Sequence, residues 1–228
     1  MAKYIMEFDK RGTICYISHL DVMRMFKRLF KRAGIRLAYS QGFNPHPKMG
    51  FAQPLSLGYE ATEEFIEFET IEEWNPNDIL SRMSEIMADG ITLKYCKPIN
   101  HIRKSLSALT IASLYTARVP VTEAINAEEL MENYLNQKSI ITLKKQKNKK
   151  KKRREFKEVD IKPMIQKLNF TWNEGVVTMR MLLDQGSVSN LSPELVISTF
   201  LEFAGLNIPR SEISVTRDKI IFEDGVEI

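Results

Sequence analysis

Cysteine is nearly absent: Cys15 and Cys96 are the only two in 228 residues. That excludes a disulfide framework, a four-cysteine zinc site and an iron–sulfur cluster held by this chain alone. The three histidines form no cluster with ligand spacing, so neither a metal nor a cofactor is expected. No apolar run approaches the ~18–20 residues that span a bilayer, and no membrane partner is expected. The N-terminal MAKYIMEFD carries acids where a signal peptide needs an apolar stretch. Secretion is therefore not expected, and the cytoplasm is the expected location. Also missing are a Gly-x-x-x-x-Gly-Lys-Ser/Thr loop, a Gly-x-Ser-x-Gly elbow and a dinucleotide fingerprint after a strand. What remains is 43% hydrophobic and 27% charged, enough for a packed core in one large domain or two small ones.

The net charge of +4 conceals strong segregation. Residues 1–50 carry ten Lys/Arg against three Asp/Glu, whereas residues 51–100 carry three against ten. Lys144 to Arg154 (KKQKNKKKKRR) holds nine cations in eleven residues and no acid. Two cationic regions thus need explaining: this tract, and the first fifty residues.

The first hundred residues read as β-α-β-β-α-β. Alternation in Lys3–Phe8 predicts a strand. Ser18 as N-cap with Asp21 three residues on opens a helix that Gly34 should stop. Leu20, Met23, Phe26, Leu29, Phe30 and Ala33 recur at helical spacing and are expected in the core. A Gly/Pro-rich loop, Ser40–Gly50, leads into an extended Phe51–Leu57, then into the half-solvated strand Glu64–Thr70. Asn75-Pro76 starts a second helix that Gly90 ends, and Ile91–Tyr95 completes the unit. This order is that of a ferredoxin-like split βαβ fold.

The second half follows the same plan more loosely. Ser113–Val119 is a strand, Ala127–Leu135 a helix, and Ser139–Leu143 a strand entering the basic tract. A short helix is expected over Asp160–Leu168, then a hairpin around Asn173-Glu174-Gly175. A helix from Ser192-Pro193-Glu194 to Ala204 and a last strand over Ile213–Phe222 follow. The fold class is therefore α+β, with tandem ferredoxin-like halves, the second irregular and carrying an inserted basic hairpin. Domain bounds are placed at 1–100, a linker at 101–112, and 113–228 with the insertion at 144–154. No residue-level repeat links the halves.

Five groups of residues carry functional weight. Arg24, Lys27, Arg28 and Lys31 recur at i, i+3, i+4 and i+7 with Arg32 beside them, and no acid follows Asp21 to neutralise them. Such a stripe is either a solvated outer face or a phosphate-contacting one. In the loop, Pro45 and Pro47 restrict the backbone while Gly42 and Gly50 bracket it. It displays Gln41, Asn44, His46 and Lys48 on a stiff frame, either as a plain connection or as a ligand holder that loses little entropy on binding. The cations Lys144, Lys145, Lys147, Lys149, Lys150, Lys151, Lys152, Arg153 and Arg154 form the strongest polyanion signal, gaining affinity by counterion release; the alternative is a solubilising loop tip. His19 and His46 together suit metal-independent RNA cleavage as general acid and base, if they meet in space. Phe43, Phe51 and Tyr59 are candidates for stacking on single-stranded bases, or else fill the core.

At Ser18-His19-Leu20-Asp21, Arg32-Ala33-Gly34 and Tyr39-Ser40-Gln41-Gly42-Phe43-Asn44-Pro45-His46-Pro47-Lys48, the chain resembles the radical-SAM-linked family of unknown function. The resemblance continues through Pro54-Leu55-Ser56-Leu57-Gly58, Asp160-Ile161-Lys162-Pro163 and Leu191-Ser192-Pro193-Glu194. It implies a role beside a radical-SAM protein with a cobalamin-binding region. The chain itself has no C-x-x-x-C-x-x-C motif for such chemistry, and the family supplies no catalytic residue to carry over. The loop in its ferredoxin-like setting is also similar to that of endoribonucleases that process CRISPR repeat RNA, an analogy of fold. The sequence thus supports an RNA-binding accessory protein acting with a radical-SAM partner in RNA modification or processing. Two alternatives stay open: an endoribonuclease using His19 and His46, and a protein-interaction subunit whose acidic 60–73 stretch meets a basic partner.

Overall fold

A computed structural model describes residues 1–121, 125–147 and 154–224. The fold is α+β and follows the tandem ferredoxin-like plan, in two compact units. One comprises Met1–Ala112 and the chain from Thr216 on; the other is Ser113–Val215.

In the first unit the chain runs β1 (Ala2–Lys10), α1 (His19–Arg32), β2 (Met49–Phe51), β3 (Glu60–Thr70), α2 (Pro76–Ser84), β4 (Ile91–Pro98) and the short α3 (Leu106–Leu109). Its strands hydrogen-bond in the order β4-β1-β3-β2, the arrangement of a split βαβ sheet. β1 runs antiparallel to both neighbours, with Met6 opposite Ile66 and Cys96.

Period-two alternation sends Tyr4, Met6 and Phe8 to one face of β1 and Ile5 to the other. The first face meets Phe26 and Phe30 of α1 and Ile79 and Met83 of α2 in an aromatic-rich core. The other face packs Ile5 and Phe65 against Leu106 and Leu109.

Local chemistry explains the helix ends. Ser18 Oγ accepts the Asp21 amide at 3.2 Å, and α1 ends in a Schellman arrangement, with the Ile35 amide bonded to the Phe30 carbonyl at 2.9 Å. Gly34 makes that turn at φ +75, a conformation that disfavours a Cβ. Asn75 caps α2, with Pro76 at its first position.

Four local readings differ. α2 ends at Ser84 with Glu85 as its C-cap, short of the expected stop at Gly90. Leu20 is 64% exposed, because the buried stripe runs through Val22, Phe26, Leu29 and Phe30, and two residues of helix rotate Leu20 about 200° from Val22. The strand expected over Phe51–Leu57 is confined to Met49–Phe51. Asp160–Leu168 forms one 3₁₀ turn at Lys162–Met164 and then a strand; Pro163 suits a first turn, but the β-rich sequence after it wins.

The second unit contains most of β5 (Thr110–Pro120), α4 (Ala127–Asn136), β6 (Ile141–Lys147), β7 (Arg154–Asp160), β8 (Ile165–Asn173), β9 (Val176–Asp184), α5 (Pro193–Phe203) and the start of β10 (Ser214–Phe222). β5, β9 and β8 lie side by side, and β6 pairs with β7 as a separate two-stranded hairpin, from Ile141 opposite Asp160 to Lys147 opposite Arg154. The β8–β9 turn is Glu174-Gly175 with positive φ at both positions, the type I′ geometry that suits strand twist. Tyr134, Phe170 and Phe200 cluster inside, and the Tyr134 hydroxyl meets Thr199 Oγ1 at 2.7 Å.

From Thr216 on, β10 belongs with the first unit, where Thr216 and Arg217 lie parallel to Glu60 and Ala61 of β3. Among the described residues no helix is long and apolar enough to cross a membrane.

Candidate nucleic-acid interface

α1 buries one stripe and turns Arg24, Lys27, Arg28, Lys31 and Arg32 to solvent. Arg24 is partly neutralised by Asp21, whose carboxylate lies 2.8 Å away. Lys27, Arg28, Lys31 and Arg32 make no ion pair among the described residues. The stripe divides between two concavities. Arg24, Arg28 and Arg32 rim one of about 470 Å3 with Met25 and Leu29.

Lys27 and Lys31 rim the other, of about 540 Å3, together with Arg36. Its floor is Phe30, Ile35 and Leu37, and its far wall is Tyr39 and Ile71. Tyr39 is 47% exposed and Ile71 52%, and the Lys27 ammonium stands 5.8 Å from the Tyr39 ring centroid. Arg36 is shared with Glu72 on the rim. Cations around an apolar floor with an exposed aromatic ring fit single-stranded nucleic acid, in which phosphates and base faces alternate.

Arg36, Tyr39 and Ile71 are absent from the sequence-derived set. Tyr39 stands inside the quoted loop motif and Arg36 follows the helix stop, so their chain positions were visible. What makes them a site is the fold of Gly34–Tyr39 back along α1.

The Ser40–Gly50 loop is closed at its neck. Ser40 N–H donates to the His46 carbonyl at 2.8 Å, His46 N–H donates to Ser40 Oγ at 3.0 Å, and Tyr39 bridges to Pro47. Gln41, Phe43, Asn44 and His46 project from this neck and are exposed. Lys48 instead pairs with Glu69 at 2.7 Å. Of the three aromatics considered for stacking, Phe43 is fully exposed, whereas Phe51 and Tyr59 are buried. Both fill the core, Phe51 stacking edgewise on Phe8 and Phe26.

His19, the first residue of α1, leans on Phe51 at 5.3 Å between ring centroids and is partly buried. Burial, with Arg217 and Lys10 nearby, holds its pKa below the ordinary histidine value. No described hydrogen bond or concavity joins His19 to His46. Both cysteines are buried, and burial pushes the Cys96 thiol up to about 12, away from nucleophilic chemistry.

In the second unit Lys144 Nζ donates to the Asn190 carbonyl at 3.0 Å. Lys145, Lys147 and Arg154 lie in the paired part of the β6–β7 hairpin. Lys149, Lys150, Lys151, Lys152 and Arg153 lie outside the described residues.

Residues 3–193 match the model of a family described as an uncharacterized protein conserved in bacteria (DUF2344), and the chain belongs to that family. No curated protein matches it. Among solved structures, a chain from a Cbf5-Nop10-Gar1 complex is similar, with a TM-score of 0.51 and 10% identity. The match covers 97% of this chain and 50% of that one, so the chain spans about half the length of its structural relative. At that identity the likeness concerns fold alone.

Proposed function

We propose that this DUF2344 protein is an RNA-binding accessory protein that holds single-stranded RNA along α1 and serves a radical-SAM partner in RNA modification or processing, in the cytoplasm. The observation that carries the RNA part is the groove at Lys27, Lys31, Arg36 and Tyr39, which joins two lysines without an ion pair among the described residues, and an arginine shared with Glu72, to an exposed ring over an apolar floor. Phosphates would lie on the lysines and a base on Tyr39, with the Lys144–Arg154 tract adding sequence-independent attraction. The radical-SAM part rests on the resemblance at Ser18–Asp21 and Tyr39–Lys48, and implies that this chain presents RNA while the partner performs the chemistry.

The test is fluorescence anisotropy with a labelled single-stranded RNA across a salt series. Lys27→Gln with Lys31→Gln should weaken binding and lower the slope of log affinity against log salt by about 1.4, at ~0.7 per phosphate contact on a single strand. An unchanged slope removes α1 from the interface.

A further inference from the structure

The first unit hides a second group of charges, Lys10, Glu64 and Arg217, each at most 4% exposed. Lys10 of β1 and Arg217 of β10 both register against Ala61 of β3, so two cations flank one alanine on the same face of the sheet. Arg217 is fully served. It grips Glu64 bidentately, Nε to Oε1 at 2.6 Å and Nη2 to Oε2 at 2.5 Å, and donates to the carbonyls of Gln53 and Pro54.

Lys10 is not served. Its ammonium makes no hydrogen bond and no ion pair among the described residues. It lines a pocket walled by Phe8, Val22, Phe51 and Leu55, with His19, Gln53 and Glu64 as further polar members. Glu64 is committed to Arg217 and acts on Lys10 only as a nearby charge, so the ammonium has no hydrogen-bonded counterpart among the described residues, in surroundings where such a charge is costly. α1 begins at His19 and adds the positive end of its dipole. The open space is about 20 Å3, enough for a charged oxygen but not for the body of a ligand.

We propose that this pocket binds a small oxyanion, the carboxylate or phosphate group of a small molecule, by ion pairing with Lys10 Nζ and a hydrogen bond from His19. Burial first, and the charges of Arg217 and Lys10 after it, disfavour protonation of His19; a neutral imidazole still offers one N–H donor. The proposal is independent of the RNA reading, since none of these residues lines either concavity on α1.

The experiment is thermal unfolding of the full chain titrated with sodium acetate and, separately, inorganic phosphate, each against chloride at equal ionic strength. The expected result is a saturable rise in Tm with at least one oxyanion. Acetate alone identifies a carboxylate site and phosphate alone a phosphate site. Lys10→Met should fold, keep RNA binding, and lose the oxyanion response. His19→Gln should raise the half-saturating concentration about tenfold, the loss of roughly one charge-assisted hydrogen bond, and it stands as the readout if Lys10→Met fails to fold. No saturable response to either anion overturns the site, as does an unchanged response in Lys10→Met or in His19→Gln.

Discussion

The outer stripe of α1 and the inner group at Lys10 use the same kinds of side chain under opposite solvation. Outside, Lys27, Arg28, Lys31 and Arg32 go without carboxylate partners among the described residues at little expense, because water screens them. Inside, Arg217 is tied to Glu64 and to two carbonyls, because a charge removed from water needs its hydrogen bonds made. A cation's neighbours therefore say what it is for. Free and exposed, it is available to a polyanion; buried and gripped, it is part of the fold; buried and unserved, as at Lys10, it awaits a small partner.

The sharpest way to break this contrast is Glu64→Gln. Removing the carboxylate strands a fully buried guanidinium and should cost about 3–5 kcal/mol in urea unfolding, whereas Glu64→Gln combined with Arg217→Met should recover much of that. A single-variant loss under ~1 kcal/mol would mean that the interior is far more polar than its burial implies. Next in size, Tyr39→Ala should weaken single-stranded RNA binding by about 1–3 kcal/mol, the worth of one stacked base, while the urea midpoint stays nearly unchanged. Loss of stability without loss of affinity would make Tyr39 a structural residue.

The smallest effect concerns pH. His19 titrates below its ordinary value in the folded state, so the unfolded chain takes up the proton more readily. The stability contributed by keeping His19 neutral is present above about pH 6.5 and declines as pH falls through that value. Tm measured from pH 7.5 to 5.5 should fall more steeply in the native protein than in His19→Gln. Parallel curves would mean that neither burial nor the neighbouring cations hold that imidazole neutral.

Much of the frame was legible because its signals are short-range. Ser18, Gly34 and Asn75-Pro76 mark helix ends through contacts a few residues away, and the α1 stripe follows from 3.6-residue spacing. Glu64 shares the parity of Ile66 and Phe68, so alternation places it on the core side, whereas Lys10 lies beyond the expected strand Lys3–Phe8 and past a register shift that local alternation does not show. In a strand as acidic as Glu64–Thr70, though, one carboxylate looks like the next. Its partner Arg217 lies 153 residues away, a pairing set by strand order, which no local pattern encodes. The groove at Tyr39 was hidden for a related reason: its two walls come from a helix and from the extended chain that follows the turn. Leu20 shows the opposite failure, a leucine at plausible spacing that the helix rotates into solvent.

That 153-residue gap has a consequence for how the protein is made. A ribosome adding ~5–20 residues per second delivers Arg217 roughly 8–30 s after Glu64. Throughout that interval the N-terminal sheet lacks both the β10 pairing at Glu60–Ala61 and the guanidinium that Glu64 holds. The half synthesised first is thus completed last, and a nascent chain stalled before Thr216 exposes an unpaired strand edge beside a carboxylate that lacks its guanidinium, a form suited to recognition by chaperones or proteases.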